Sequence, residues 1–152
     1  MNLYIQQPTP QWVVSLMQKI PQLAYDPETK TFVLMERYCY NFHWVKKHKK
    51  SVTLPRGMVT DFASIPWFGR WLISPVDKSI VISALVHDYL VGFSNSYILL
   101  ERDDGTSEEY HPGWVESLKI MIRIMEEQKS AKWKRIVVYT ALRLYGIAKK
   151  KD

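Results

Sequence analysis

The sequence predicts an α+β fold, a small antiparallel sheet with about three main helices, the central one buried. Three observations predict it. Strand-like runs occupy residues 31–44 and 51–54 and recur on either side of an Asp-Gly pair. The stretch from Lys78 to Leu90 is apolar on almost every side, as a helix in the middle of a domain is. Two later stretches repeat their apolar residues at helical spacing.

The elements follow in chain order. Pro8 and Pro10 disfavour a helix, so residues 1–10 are expected to form an extended arm. Residues 11–20 place Trp12, Leu16 and Ile20 on one face of a short helix that stops at Pro21. Asp26-Pro27 marks a turn, and residues 31–44 read as one strand, which Val45 would extend. Residues 51–54 read as its antiparallel partner, ended by Pro55 and Gly57, with the basic run HWVKKHKK (residues 43–50) at or near the hairpin tip. Asp77 caps the apolar helix and Gly92 closes it. Asp104-Gly105 joins the strands 97–100 and 106–110. Pro112 suits a first helical turn, after which Trp114, Leu118, Met121, Ile122 and Met125 form one stripe. Ser130 is the expected cap of the last helix, whose stripe is Trp133, Ile136, Val137, Thr140, Ala141 and Leu144. Gly146 is expected to end or bend it, leaving residues 147–152 as a basic tail.

The chain has 152 residues, a common size for one domain, and 47% of them are apolar, enough for a core. Its one cysteine, Cys39, excludes an internal disulfide. No run approaches the ~18 apolar residues of a membrane span, and the N-terminus lacks the basic head and apolar segment of a signal peptide. The expectation is therefore no membrane partner. The net charge of +6 favours anionic partners. Residues 43–50 are the candidate nucleic-acid contact, with Lys46 and Lys47 as binding residues and Trp44 to stack a base. Solubilising charge on a loop is the simpler account of the same run.

Two places are not dictated by packing. Asp61 stands just before a Ser64-Ile65-Pro66 turn, and His87-Asp88 closes the apolar helix. An aspartate at a helix C-terminus opposes the macrodipole by roughly 0.3–1 kcal/mol, and burial adds a desolvation cost unless it is paired. Ser79, Ser83 and His87 step four apart, a thin polar line expected to lead onto a cleft. The structural account is that His87 donates to a carbonyl, that Asp88 caps a helix or pairs with Arg56, Arg70 or Arg143, and that Asp61 and Ser64 are ordinary turn residues.

The strings LPRGMVTDFASIPWFGRWL and SALVHDYLVG together resemble a phage- and prophage-associated family, domain of unknown function 1353. Pro55, Gly57, Thr60, Asp61, Ala63, Ser64, Ile65 and Pro66 match its first motif, and His87, Asp88 and Leu90 its second. Met58 stands where an aromatic is usual, and Glu116 after Val115 stands nearest to an acidic residue that follows Ala in the family. The resemblance runs over residues 52–146. It implies a bacteriophage or prophage accessory protein located in the host cytoplasm or the virion, with other phage proteins as partners.

The chemistry offered is a carboxylate and imidazole set. Asp61, His87 and Asp88 are the catalytic candidates, and with Glu116 they are the candidate ligands of a divalent metal. Ser64 and Arg56 are candidate binding residues. Without a metal, the same groups are an acid–base pair; Glu116 in a first helical turn also simply suits the dipole. Three other sets fit less well. His43, His87-Asp88 and Asp103 have the order of an HD phosphohydrolase but not its all-helical setting. Ser64, His87 and Asp61 lack a Gly-x-Ser-x-Gly elbow. Cys39 and His43 are too far apart along a strand to touch. Zinc-type spacing and a phosphate loop are absent. The readings carried forward are a metal-assisted or acid–base hydrolase, a non-enzymatic virion or assembly component, and a basic nucleic-acid-binding module.

Overall fold

Residues 20–43, 49–62 and 78–149 are described in a computed structural model of the chain. Within them one sheet has three strands, β1 (Leu23–Asp26), β2 (Thr31–Leu34) and β5 (Val59–Thr60), in the order β1-β2-β5. The other has four, β3 (Tyr38–Phe42), β4 (Lys49–Leu54), β6 (Ile98–Glu101) and β7 (Ser107–Tyr110), in the order β3-β4-β6-β7. Every pairing is antiparallel. Three helices complete the described residues: α1 (Lys78–Gly92), α2 (Trp114–Glu127) and α3 (Lys132–Lys149). The class is α+β as expected, but the single small sheet is two.

The split falls inside the stretch expected to be one strand. Residues 35–37 present Met35, Glu36 and Arg37 to solvent, and the Met35 N–H bonds back to the Gln22 carbonyl at 2.9 Å. Beyond them a strict alternation begins, with Tyr38, Tyr40 and Phe42 inward. Those residues pair with β4 in the expected hairpin, Phe42 opposite Lys50 and Tyr38 opposite Leu54. The chain then returns to the first sheet through a tight turn. Met58 N–H bonds to the Pro55 carbonyl at 3.2 Å, and Gly57 takes a φ of +83°, open to glycine without steric cost. Leu34 and the Gly57–Met58 backbone exchange hydrogen bonds of 2.7 and 2.9 Å. The Pro-x-Gly of the motif is thus a sheet-switching turn. Met58 beside it is a core residue, 2% exposed.

α1 is the buried centre. Ile80, Leu85, Val86 and Leu90 are all sealed; the helix packs along α2 and against β4. Its last turn is tied off by Ser96, whose hydroxyl donates to the Leu90 carbonyl at 3.0 Å. The second hairpin forms around Gly105, with Asp104 accepting from the Thr106 N–H at 2.9 Å. α2 starts at Trp114, two residues after Pro112, and buries Leu118, Met121, Ile124 and Met125. Ile124 replaces Ile122, which is only half-buried.

α3 packs on α2 by a different face from the expected one. Val138, Ala141 and Leu142 are buried, while Trp133, Ile136 and Leu144 are 48%, 56% and 60% exposed. The helix carries two apolar rows, and the row with smaller side chains faces inward. Gly146 explains the choice: a Cβ there would lie 2.3 Å from Trp114 Nε1, so the helices approach through a missing side chain. It does not end α3, which continues to Lys149, through half of the stretch read as a tail. Nor does Ser130 cap that helix; its hydroxyl is buried without a hydrogen-bond partner. The expected arm, the helix at 11–20, Asp77 and Arg70 lie outside the described residues.

Candidate functional site

Three consecutive residues build one side of the site. Thr60 is the inward residue of β5, 4% exposed, and Val59 before it points to solvent. The Thr60 hydroxyl donates to Asp88 Oδ2 on α1 and accepts from the Phe62 N–H at 3.1 Å. A hydroxyl is suited to this double duty, being donor and acceptor at once. Phe62 takes a left-handed φ of 51°, a conformation that costs on the order of 1–3 kcal/mol for a residue with a side chain. It is held there by the Thr60 bond and by its ring, which packs edge-on against Phe32 at 5.1 Å. With both neighbours turned inward, Asp61 is left exposed at the lip.

The other side is the end of α1, where successive residues diverge by about 100°. Asp88 is partly exposed, takes the Thr60 hydrogen bond and, with Asp61, lines an open depression of about 430 Å³. Thr31, Val91 and Phe93 complete its walls. His87 points the other way. It is fully buried, its ring edge-on to Trp114 at 5.3 Å, and neither ring nitrogen has a hydrogen-bond partner. Burial pushes its pKa down to about 4, opposed by the adjacent Ser117 backbone. The imidazole is therefore neutral at physiological pH. The polar line of Ser79, Ser83 and His87 does not open onto a cleft. Ser83 is buried and donates back to the Ile80 carbonyl at 2.7 Å, and His87 meets α2.

The structure thus brings Asp61 and Asp88 to one water-accessible depression and keeps His87 out of it. Glu116 is elsewhere too, on the exposed face of α2, where it accepts the Tyr110 hydroxyl proton and lines a different groove. No group of three His, Cys, Asp or Glu side chains is arranged to hold a metal among the described residues. That applies to the expected four-residue set and to His43, His87-Asp88 and Asp103 alike. Arg56 is exposed in the sheet-switching turn. Among the described residues neither it nor Arg143 forms an ion pair with Asp88, which accepts a hydrogen bond from Thr60. Ser64, Lys46 and Lys47 lie outside the described residues.

Sequence reasoning passed over Thr60, which is in the motif but carries no charge to attract attention. It also missed Glu127, which accepts the Tyr40 hydroxyl proton and the His43 N–H at 3.2 Å and ties the end of α2 to β3. Burial raises the Tyr40 pKa, with Glu127 adding to the effect, and burial, with a smaller push from neighbouring Cys39, takes Tyr38 up to about 12. Neither tyrosine ionises near neutrality. No helix among the described residues is long and apolar enough to cross a membrane.

A family model described as a protein of unknown function, DUF1353, matches residues 32–142, well over half of the chain. No curated protein and no solved structure matches.

Proposed function

The chain belongs to the DUF1353 family, and on that premise we propose that it is a bacteriophage or prophage accessory protein, working in the host cytoplasm or the virion, whose Asp61 and Asp88 form a two-carboxylate site for a hard divalent cation. The observation that carries the reading is the shared depression: one exposed carboxylate and one partly buried carboxylate on an open wall. Magnesium-type ions are commonly held by one or two carboxylates and keep several waters, so a small open site suits them better than an all-protein cage. A cation held this way supplies a more acidic water for hydrolysis. His87 has no part in that chemistry. It is neutral and sealed, and its role is to pack α1 on α2.

Titration calorimetry with Mg²⁺ and Mn²⁺ tests the proposal. The intact protein is expected to bind one ion, and Asp61→Asn and Asp88→Asn each to abolish uptake, with Asp61→Asn melting as the parent does. Uptake that survives both substitutions, or is absent from the parent, overturns it.

A second reading has its own observation. The Thr60 hydroxyl sits between Asp88 and the Phe62 backbone, so the same carboxylate is a lock between the sheet and α1. In a non-enzymatic virion or assembly component that lock is the whole purpose of Asp88. Asp88→Asn then lowers stability without any ion-dependent change.

A further inference from the structure

The four-stranded sheet and α2 enclose a second concavity, which shares no lining residue with the Asp61–Asp88 depression. It is an open groove of about 330 Å³. Its floor is apolar, made of Phe42, Ile98 and Ile120. Its rim carries three cations, Lys50 from β4 and Lys119 and Arg123 from α2, and one carboxylate, Glu116. These cations come from two elements far apart in sequence, so the fold concentrates them. Neither Lys50 nor Lys119 has an ion-pair partner among the described residues. The rim's one negative group, Glu116, is outnumbered by its three cations. Glu116 accepts the Tyr110 hydroxyl proton, and Glu126 serves both Arg123 at 2.8 Å and Arg135 at 3.1 Å, one carboxylate against two guanidiniums. The local balance stays positive.

An apolar floor under a basic rim selects a ligand with a flat hydrophobic body and a doubly charged head. The volume lies at the small end of the ligand-pocket range of about 300–1,000 Å³, which suits one unit rather than a large cofactor. Lys50 is also the last residue of the basic run at residues 43–50, so the chain beside this rim cation is rich in positive charge. We infer that this groove binds a nucleotide unit, its base on the Phe42–Ile120 floor beside Tyr110 and its phosphate on Lys50 and Lys119. The unit comes either as a free mononucleotide or from single-stranded nucleic acid. This site stands independently of the Asp61–Asp88 reading.

The test is binding of adenosine 5′-monophosphate, adenosine, inorganic phosphate and a single-stranded decathymidylate to the full chain, read by calorimetry and by amide chemical shifts. Binding of the monophosphate or the oligonucleotide, at least about tenfold tighter than phosphate alone and weakened about tenfold by Lys50→Gln or Lys119→Gln, supports the inference. Monophosphate binding without oligonucleotide binding assigns a free nucleotide. Oligonucleotide binding whose salt slope drops by about 0.7 per lysine removed assigns a single strand. Equal affinity for phosphate and monophosphate overturns the proposal, leaving a plain anion patch. So does oligonucleotide binding that ignores both groove lysines and is lost in Lys46→Gln/Lys47→Gln. Both groove lysines lie on the rim, and unchanged spectra confirm that the variants fold.

Discussion

His87 and Asp88 are neighbours in sequence and opposites in environment. One is sealed between two helices with neither ring nitrogen bonded. The other reaches an open depression and is bonded to Thr60. A His-Asp pair read along the chain invites a joint role, yet one residue step on a helix turns the side chain by about 100°. When the helix is buried on nearly all sides, that step separates core from cleft. Adjacent polar residues on such a helix are two sites until geometry makes them one.

The largest expected effect breaks the comparison from the sealed side. The folded-state pKa of His87, about 4, lies below its ordinary 6.5, so the unfolded chain takes up the proton more readily. The contribution is therefore fully present above pH 6.5 and is lost as pH falls from 6.5 towards 4, then stays level. At about 1.4 kcal/mol per pH unit, the interval amounts to roughly 3 kcal/mol. Urea unfolding across that range is expected to show the loss, and His87→Leu to flatten it. An equally steep profile in the variant would place the sensitive group elsewhere.

Next in size is the packing behind the imidazole. Gly146→Ala drives a methyl to within 2.3 Å of Trp114 Nε1, in the ring that His87 contacts edge-on. Overpacking of this kind costs about 1–3 kcal/mol. A lower melting temperature and an altered Trp fluorescence are expected; an unchanged melt would mean that Trp114 swings aside freely.

Thr60→Val sharpens the open side. The shape is kept, but Asp88 loses a donor and the Phe62 N–H loses an acceptor. Leaving the buried Phe62 N–H unsatisfied costs about 1–3 kcal/mol. The loss should be accompanied by faster amide exchange at Phe62, because the left-handed backbone there leans on that bond. Slow exchange in the variant would show that ring packing on Phe32 suffices.

What the sequence disclosed follows the same division. Elements with a strong internal pattern were legible: the apolar α1, the Asp-Gly hairpin, the α2 stripe and the β3–β4 pairing. The two-sheet arrangement was not, because β5 is two residues long and β1 is a bare LAYD, too short for periodicity. The inward face of α3 was misassigned because both of its rows are apolar, and only Gly146 against Trp114 decides between them. At the site, the two aspartates were identified and do share a depression. The histidine is drawn to it by its motif and by the Ser79–Ser83–His87 line, which turns inward instead, and Thr60 is passed over because its value lies in two simultaneous hydrogen bonds.

The smallest stability effect is the most informative about function. Asp61 is exposed between two inward-facing neighbours, and surface substitutions of that kind usually stay within about ±0.5 kcal/mol. Asp61→Asn removes a charge from the depression without touching the Thr60–Asp88 bond. It should leave the urea midpoint and the pH profile of His87 where they are, and abolish divalent-ion uptake. Asp88→Asn perturbs both properties, because its carboxylate serves the lock and the depression together. Comparing the two substitutions therefore separates ligand binding from architecture: a pair that differs in stability but agrees in lost uptake supports the cation site, and a pair that differs in stability while both retain uptake leaves only the lock.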